Sequence, residues 1–323
     1  MRRTTFVVVA AFAAAIGTSN LAAQNPPTPT ASGQGTGMPV GGTPAGQGRS
    51  GPIVIGPPAP VPPEVAIPRP TPAELAEVNG AVKRFIDADR SQVKPLLQKF
   101  ESLLMLQPPR LNVAATYTQT AQRRGPRHEG FVEIAKQGNI DLLLHGDSIT
   151  DWWVQGDANK AMFDKYFGGI RTANFAIAGD TTQGVLWGLK NGEGQGFQPK
   201  AVMLMIGTNN TGSSTAPEIA EGIGAVVLEL RQDFPQAKIL LLAVFPRNVP
   251  GDPVRDKIAD INRIIARLGD EQRVFYMDIG PKFLGADGYF LPDAFRPDNL
   301  HPQAKGYEIW GEAVRDKLAA LLK

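Results

Sequence analysis

Ile140-Asp141-Leu142-Leu143-Leu144-His145-Gly146-Asp147-Ser148 decides the fold: an apolar run of strand length stops abruptly in a short polar turn. The pattern recurs twice. Thr172–Ala178 ends in Gly179-Asp180-Thr181-Thr182, and Ala201–Ile206 ends in Gly207-Thr208-Asn209-Asn210. Lys238–Phe245 and Arg273–Ile279 add a fourth and a fifth run, and helical stretches near 157–167, 181–190, 216–233, 254–268 and 303–322 alternate with them. This alternation predicts an α/β domain with a five-stranded parallel sheet, and the nearly continuous apolar strands predict a sheet covered on both faces. Ligands bind such sheets at the carboxyl ends of the strands, so the three polar turns are expected to share one crevice.

The residue types at those turns suit acyl transfer. Ser148 follows the first strand directly, without the Gly-x-Ser-x-Gly elbow of an α/β-hydrolase. Asp147 is expected to serve the turn itself. Near the C-terminus, Asp298-Asn299-Leu300-His301 offers an imidazole with a carboxylate three residues earlier, in a loop stiffened by Pro292, Pro297 and Pro302. A serine base needs its Nδ1 held so that Nε2 can take the hydroxyl proton. Ser148, His301 and Asp298 are therefore the candidate catalytic set. Donors for a developing oxyanion are expected from the Ser148 and Gly179 N–H groups and the Asn209 side-chain amide. Of the two other histidines, His128 reads as solvated at a helix start. His145 is a competing base poorly placed to reach Ser148 along its own strand. Trp152, Trp153 and Phe295 are candidate pocket residues, the two Trp with an alternative place under the sheet edge.

Outside this region the composition changes. Phe6–Ile16 is almost wholly apolar behind Arg2-Arg3, and Leu21-Ala22-Ala23 resembles a cleavage site, so residues 1–23 read as a signal peptide. The mature chain is expected to be exported, to the periplasm or beyond. Residues 24–72 hold 14 of the 28 prolines and read as a Pro/Gly-rich disordered linker. Residues 73–127 read as a helical extension: Leu75, Val78, Val82 and Ile86 recur at helical spacing, and Val93, Leu96, Leu97, Phe100, Leu103 and Leu104 continue the apolar face. That face predicts packing on the main domain, 128–323, with a homodimer as the alternative.

Without residues 1–23, which carry two Arg and no acid, basic and acidic residues balance at 31 each. That balance gives no footprint for nucleic acid or an anionic membrane, and no stable membrane insertion is expected. The chain has no Cys and three His, which excludes disulfides and argues against a zinc site.

Four blocks in order, Gly146-Asp147-Ser148, Asn174-x4-Gly179, Gly207-x-Asn209 and Asp298-x-x-His301, resemble the SGNH (GDSL-type) hydrolase superfamily. Asn174–Thr182, Val185–Glu193 and Gly207–Asn210 resemble its platelet-activating-factor acetylhydrolase catalytic-subunit branch. The resemblance covers roughly residues 128–322. It implies a flavodoxin-like α/β/α sandwich with no metal or organic cofactor, and the roles given above for Ser148, His301, Asp298, Gly179 and Asn209. Many members carry Asp where this chain has Asn210, but the acetylhydrolase branch does not. The expected activity is an exported serine esterase removing short acyl groups, acetyl first, from a small-molecule or glycan ester. A lipid or phospholipid acyl hydrolase, an O-acyltransferase and a non-catalytic carbohydrate- or envelope-binding module are the alternatives.

Overall fold

The computed structural model describes residues 52–323; the expected signal peptide and most of the expected linker lie outside the described residues. Five strands, β1 (Leu142–Gly146), β2 (Thr172–Asn174), β3 (Ala201–Met205), β4 (Lys238–Leu242) and β5 (Val274–Met277), pair in parallel in the order β2-β1-β3-β4-β5. That is the flavodoxin-like order. Register is fixed by pairs such as Leu142 with Ala201 and Gly146 with Met205.

Helices α1 (Pro72–Ala88), α2 (Lys94–Lys99) and α3 (Glu101–Leu104) precede the sheet, and α4 (Pro126–Gln137) leads into it. Within the sheet region come α5 (Ser148–Asp151), α6 (Asp157–Phe167) and α7 (Thr182–Gly188). Then follow α8 (Ala216–Asp233), α9 (Pro253–Ile265) and α10 (Ala304–Leu321).

Successive strand side chains point to opposite faces, so each strand feeds two cores. Leu143, Val202, Leu204, Ile239 and Leu241 pack with Phe131, Leu186, Ile223 and Ile261 from α4, α7, α8 and α9. Leu142, Leu144, Met203 and Leu240 pack with Phe167 of α6 and with Trp310 and Val314 of α10. The three layers follow from that alternation.

The second strand is shorter than the apolar run Thr172–Ala178. Beyond Asn174, the Asn174 side chain accepts the Ala176 N–H (3.1 Å) and donates to the Thr150 carbonyl (2.9 Å), bending the chain over the end of β1. Phe175 and Ile177 still donate to the Leu144 and Gly146 carbonyls, so the bent segment stays beside β1 and carries Gly179 to the sheet's carboxyl end.

The N-terminal region packs differently from its helical pattern. Of the expected apolar positions only Ile86 is buried; Phe100, Leu103 and Leu104 are exposed. Irregular backbone covers the domain instead. Ala59 and Val65 are buried, the Ala59 N–H donates to the Ala115 carbonyl, and the Tyr117 N–H donates to the Pro57 carbonyl. Arg69 pairs with Glu221 of α8 at 2.6 Å, and Asn112 donates to the same carboxylate. Alpha-8 accepts this strap because it has glycines there: a Cβ on Gly222 would lie 2.5 Å from the Ala114 carbonyl, and one on Gly224 would lie 2.4 Å from Val65. So residues 53–70, within the stretch read from composition as linker, are ordered by contacts that a composition count does not register.

Candidate active site

Ser148 occupies the first position of α5, directly beyond β1, and is 5% exposed. Asp147 caps that helix, its Oδ1 accepting the Ile149 N–H at 3.0 Å. Gly146 is required by close approach: a Cβ there would sit 2.3 Å from the Met205 carbonyl of the neighbouring strand.

The fourth block meets the first across the sheet end. His301 Nε2 lies 2.8 Å from Ser148 Oγ, and His301 Nδ1 lies 2.7 Å from Asp298 Oδ2. Asp298 Oδ1 accepts the N–H groups of Leu300 and His301, each at 3.0 Å, so the carboxylate holds both the ring and the backbone that carries it. Burial acts to raise the Asp298 carboxyl, but the bonds from the His301 ring and the two N–H groups outweigh it and hold it below the usual range. The turn is closed by the Arg296 N–H on the His301 carbonyl at 2.8 Å. An imidazole held in this way can accept the serine proton.

Gly179 and Asn209 come to the same end of the sheet. Gly179 has φ +80°, and Gln122 Nε2 lies 3.2 Å from where its Cβ would be. The Ser148 and Gly179 N–H groups donate to no other described residue. The Asn209 amide donates once, to the Asp180 carbonyl at 2.8 Å, which fixes its plane and leaves its second N–H. Asn210 has a different task. Its Oδ1 accepts the Thr182 N–H at 3.1 Å and its Nδ2 donates to Gln183 at 2.9 Å. An aspartate would lack the second bond, which explains the amide at this position.

Several candidates are placed elsewhere. Trp153 is fully buried among Phe167, Tyr307 and Trp310, so it is core rather than pocket. Phe295 is 7% exposed, stacks on Phe290 and meets Phe283 edge-on, so it packs in the core. Trp152, half-buried, lies beside the catalytic candidates: its ring stacks on His301, centroids 4.0 Å apart. His128 is not solvated. It bonds Glu193 through Nδ1 at 2.7 Å. His145 is wholly buried and its Nε2 faces Glu193 at 3.7 Å; burial and the charge of Arg123 hold it well below the usual imidazole range.

Sequence reasoning missed the group that ties these elements together. Arg123 is fully buried, with Nε 2.7 Å from Asp180 Oδ2, Nη1 on Glu193 and Nη2 donating to the Phe175 carbonyl. Thr120 also reaches Asp180, at 3.2 Å. Desolvation pulls the guanidinium down, but Asp180 and Glu193 more than offset it, and Arg123 is held charged. Asp180, in a polar turn, and Glu193, beside Lys190 and Asn191, carried no pattern in sequence that singled out their partner. Among the described residues no group of three or more acids, histidines or cysteines could hold a metal ion.

Residues 144–309 match the GDSL-like Lipase/Acylhydrolase family. The chain belongs to this family. The platelet-activating factor acetylhydrolase IB subunit alpha2 of Rattus norvegicus is 36% identical over 212 residues, 65% of this chain and 90% of that protein. The alpha1 subunit of Bos taurus is 33% identical over 196 residues, 60% of this chain and 82% of that one. A solved structure from Streptococcus pneumonia is 21% identical with a TM-score of 0.50, covering 59% of this chain and 91% of its own, and shares the fold. This GDSL-family protein is thus an SGNH-type acylhydrolase, a carboxylic ester hydrolase. No helix among its described residues is long and apolar enough to cross a membrane.

Proposed function

We propose that the protein is an exported serine esterase that removes short acyl groups, acetyl first, through an acyl-enzyme on Ser148. The observation that carries this reading is the continuous line Asp298 Oδ2, His301 Nδ1, His301 Nε2, Ser148 Oγ, with spacings of 2.7 and 2.8 Å. Ser148 Oγ attacks the ester carbonyl while His301 Nε2 takes its proton. The negative charge develops on the former carbonyl oxygen, facing the Ser148 and Gly179 N–H groups and the free N–H of Asn209; each such donor contributes roughly 10²–10³ in rate. Collapse breaks the bond to the alcohol, which leaves with the His301 proton. Water then attacks the acyl-enzyme, gives its proton to His301, and the second collapse frees the carboxylic acid as Ser148 Oγ recovers that proton.

Acetyl as the acyl group is supported by the acetylhydrolase relatives at 33 to 36% identity. A polyhydroxylated alcohol, an acetylated carbohydrate above all, is supported by the leader-like residues 1–23 and the charge-balanced mature chain. The name of those relatives favours a second reading, a platelet-activating-factor-type ester.

The test is hydrolysis of p-nitrophenyl acetate, butyrate and octanoate by the full chain, beside Ser148→Ala and His301→Ala. Preference for acetate with both variants inactive supports the reading; an active Ser148→Ala variant overturns it. Peracetylated xylose against a platelet-activating-factor-type phospholipid then separates the two alcohols.

A further inference from the structure

Two hydrogen bonds hold the His301 ring at its two nitrogens, to Asp298 and to Ser148. Both are made at the edge of the ring, so neither presses on its face to resist a tilt out of plane. A base that rocks loses aim, and a misplacement of about 1 Å costs on the order of 10² in rate. Something must press on the face of the ring.

Trp152 does so. Its indole lies against the imidazole at 4.0 Å between centroids and 27° between planes, near enough to parallel to block the rocking motion. The indole is itself fixed. Its neighbour Trp153 is sunk in the core and anchors the backbone, and the Trp152 carbonyl accepts Asn159 Nδ2 at 3.1 Å. The Arg296 guanidinium sits 4.5 Å from the indole centroid, a cation–π contact. The Arg296 N–H in turn donates to the His301 carbonyl, so the circuit His301, Trp152, Arg296 and back to His301 is closed.

We propose that Trp152 is a positioning residue for the His301 base, and that Arg296 is the clamp that keeps the indole against the imidazole. This assigns Trp152 to the aim of the base rather than to the wall of a substrate pocket. It rests on His301 acting on Ser148 as described above.

The experiment compares the full-length parent with Trp152→Leu, Trp152→Phe and Arg296→Met, on p-nitrophenyl acetate and butyrate, with melting temperatures recorded. Trp152→Leu is expected to lower kcat by about 10- to 100-fold on both esters with KM within about twofold. Trp152→Phe, which keeps a flat face, should recover most of that loss, and Arg296→Met should fall between. The rate of fluorophosphonate labelling at Ser148 should follow kcat. A rise in KM that depends on acyl length, with kcat kept, would make Trp152 a pocket wall and overturn the proposal; so would an unchanged kcat in Trp152→Leu. If the Leu variant does not fold, Trp152→Phe and Arg296→Met decide by the same split. Failure of the underlying mechanism is distinct, because Ser148→Ala would then remain active.

Discussion

Asn248 and Asn299 meet backbone to backbone: the Asn248 N–H donates to the Asn299 carbonyl at 2.8 Å, and both residues have left-handed backbones, φ +59° and +50°. The loop after β4 thereby clasps the turn between Asp298 and His301. Left-handed backbone costs a residue with a Cβ roughly 1–2 kcal/mol, and Asn or Gly bears it best. Asn299→Val is expected to destabilise the fold by about that amount and to lower kcat, because strain there is relieved by moving His301. Asn299→Gly should retain both. Thermal denaturation and steady-state kinetics on an acetyl ester check this, and equal behaviour of the two variants would sink it.

Gly179 is constrained twice, by φ +80° and by Gln122 Nε2 at 3.2 Å from its would-be Cβ. Gly179→Ala should lower kcat by about 10²-fold as its N–H turns away, an effect of the size seen for one lost oxyanion donor. Adding Gln122→Ala removes the crowding but not the backbone strain. Recovery in the double variant is therefore expected to be partial, and full recovery in kinetic assays would mean that the φ requirement is weaker than argued.

The Arg123 cluster should behave as a buried ionic unit. Arg123→Met leaves the buried Asp180 and Glu193 carboxylates without their cation, and such removals cost about 3–5 kcal/mol. Urea denaturation should show a loss of that order, with kcat falling too, since the Asp180 carbonyl fixes the Asn209 amide. A loss of under about 1 kcal/mol would contradict a structural role for the pair.

Asp147 gives a pH signature of stability. Burial pushes its carboxyl up to about 7 against the single helix-capping bond from Ile149, and its Oδ2 has no hydrogen-bond partner. Because the folded value lies above the unfolded one, near 3.9, the folded state holds a proton that the unfolded state has already lost. Stability should therefore fall as pH rises from about 4 to about 7, by up to about 1.4 kcal/mol per pH unit from this group. Asp233, also pushed by burial to about 7, adds to the same slope. In Asp147→Asn the slope measured by chemical denaturation should be shallower. An identical slope would assign the pH dependence elsewhere.

Where residues meet along strand ends, the sequence was readable. Ser148, Gly179 and Asn209 each follow an apolar run of buried-strand length, and period-two packing leaves the carboxyl ends only one place to converge. The Asp298-x-x-His301 spacing showed its pairing because both partners sit in one turn. Arg123 could not be read the same way: four neighbouring basic residues or histidines, Arg123, Arg124, Arg127 and His128, look alike in sequence, and only the fold separates the buried from the exposed. Trp152 and Trp153 are adjacent and chemically identical, and the short turn at that point sends one into the core and the other onto His301. Proline content hid the packing of residues 53–70, since composition reports the cost of ordering a segment and not the groove that awaits it.

The cation of the buried cluster is supplied from outside the stretch that matches the family, residues 144–309, while both of its anions lie inside it. The matched stretch is therefore electrically incomplete by itself. A shuffling event or a cloning cut made at the family boundary would carry away two interior negative charges without their counter-ion, so the heritable unit of this enzyme is longer than the stretch by which it is recognised.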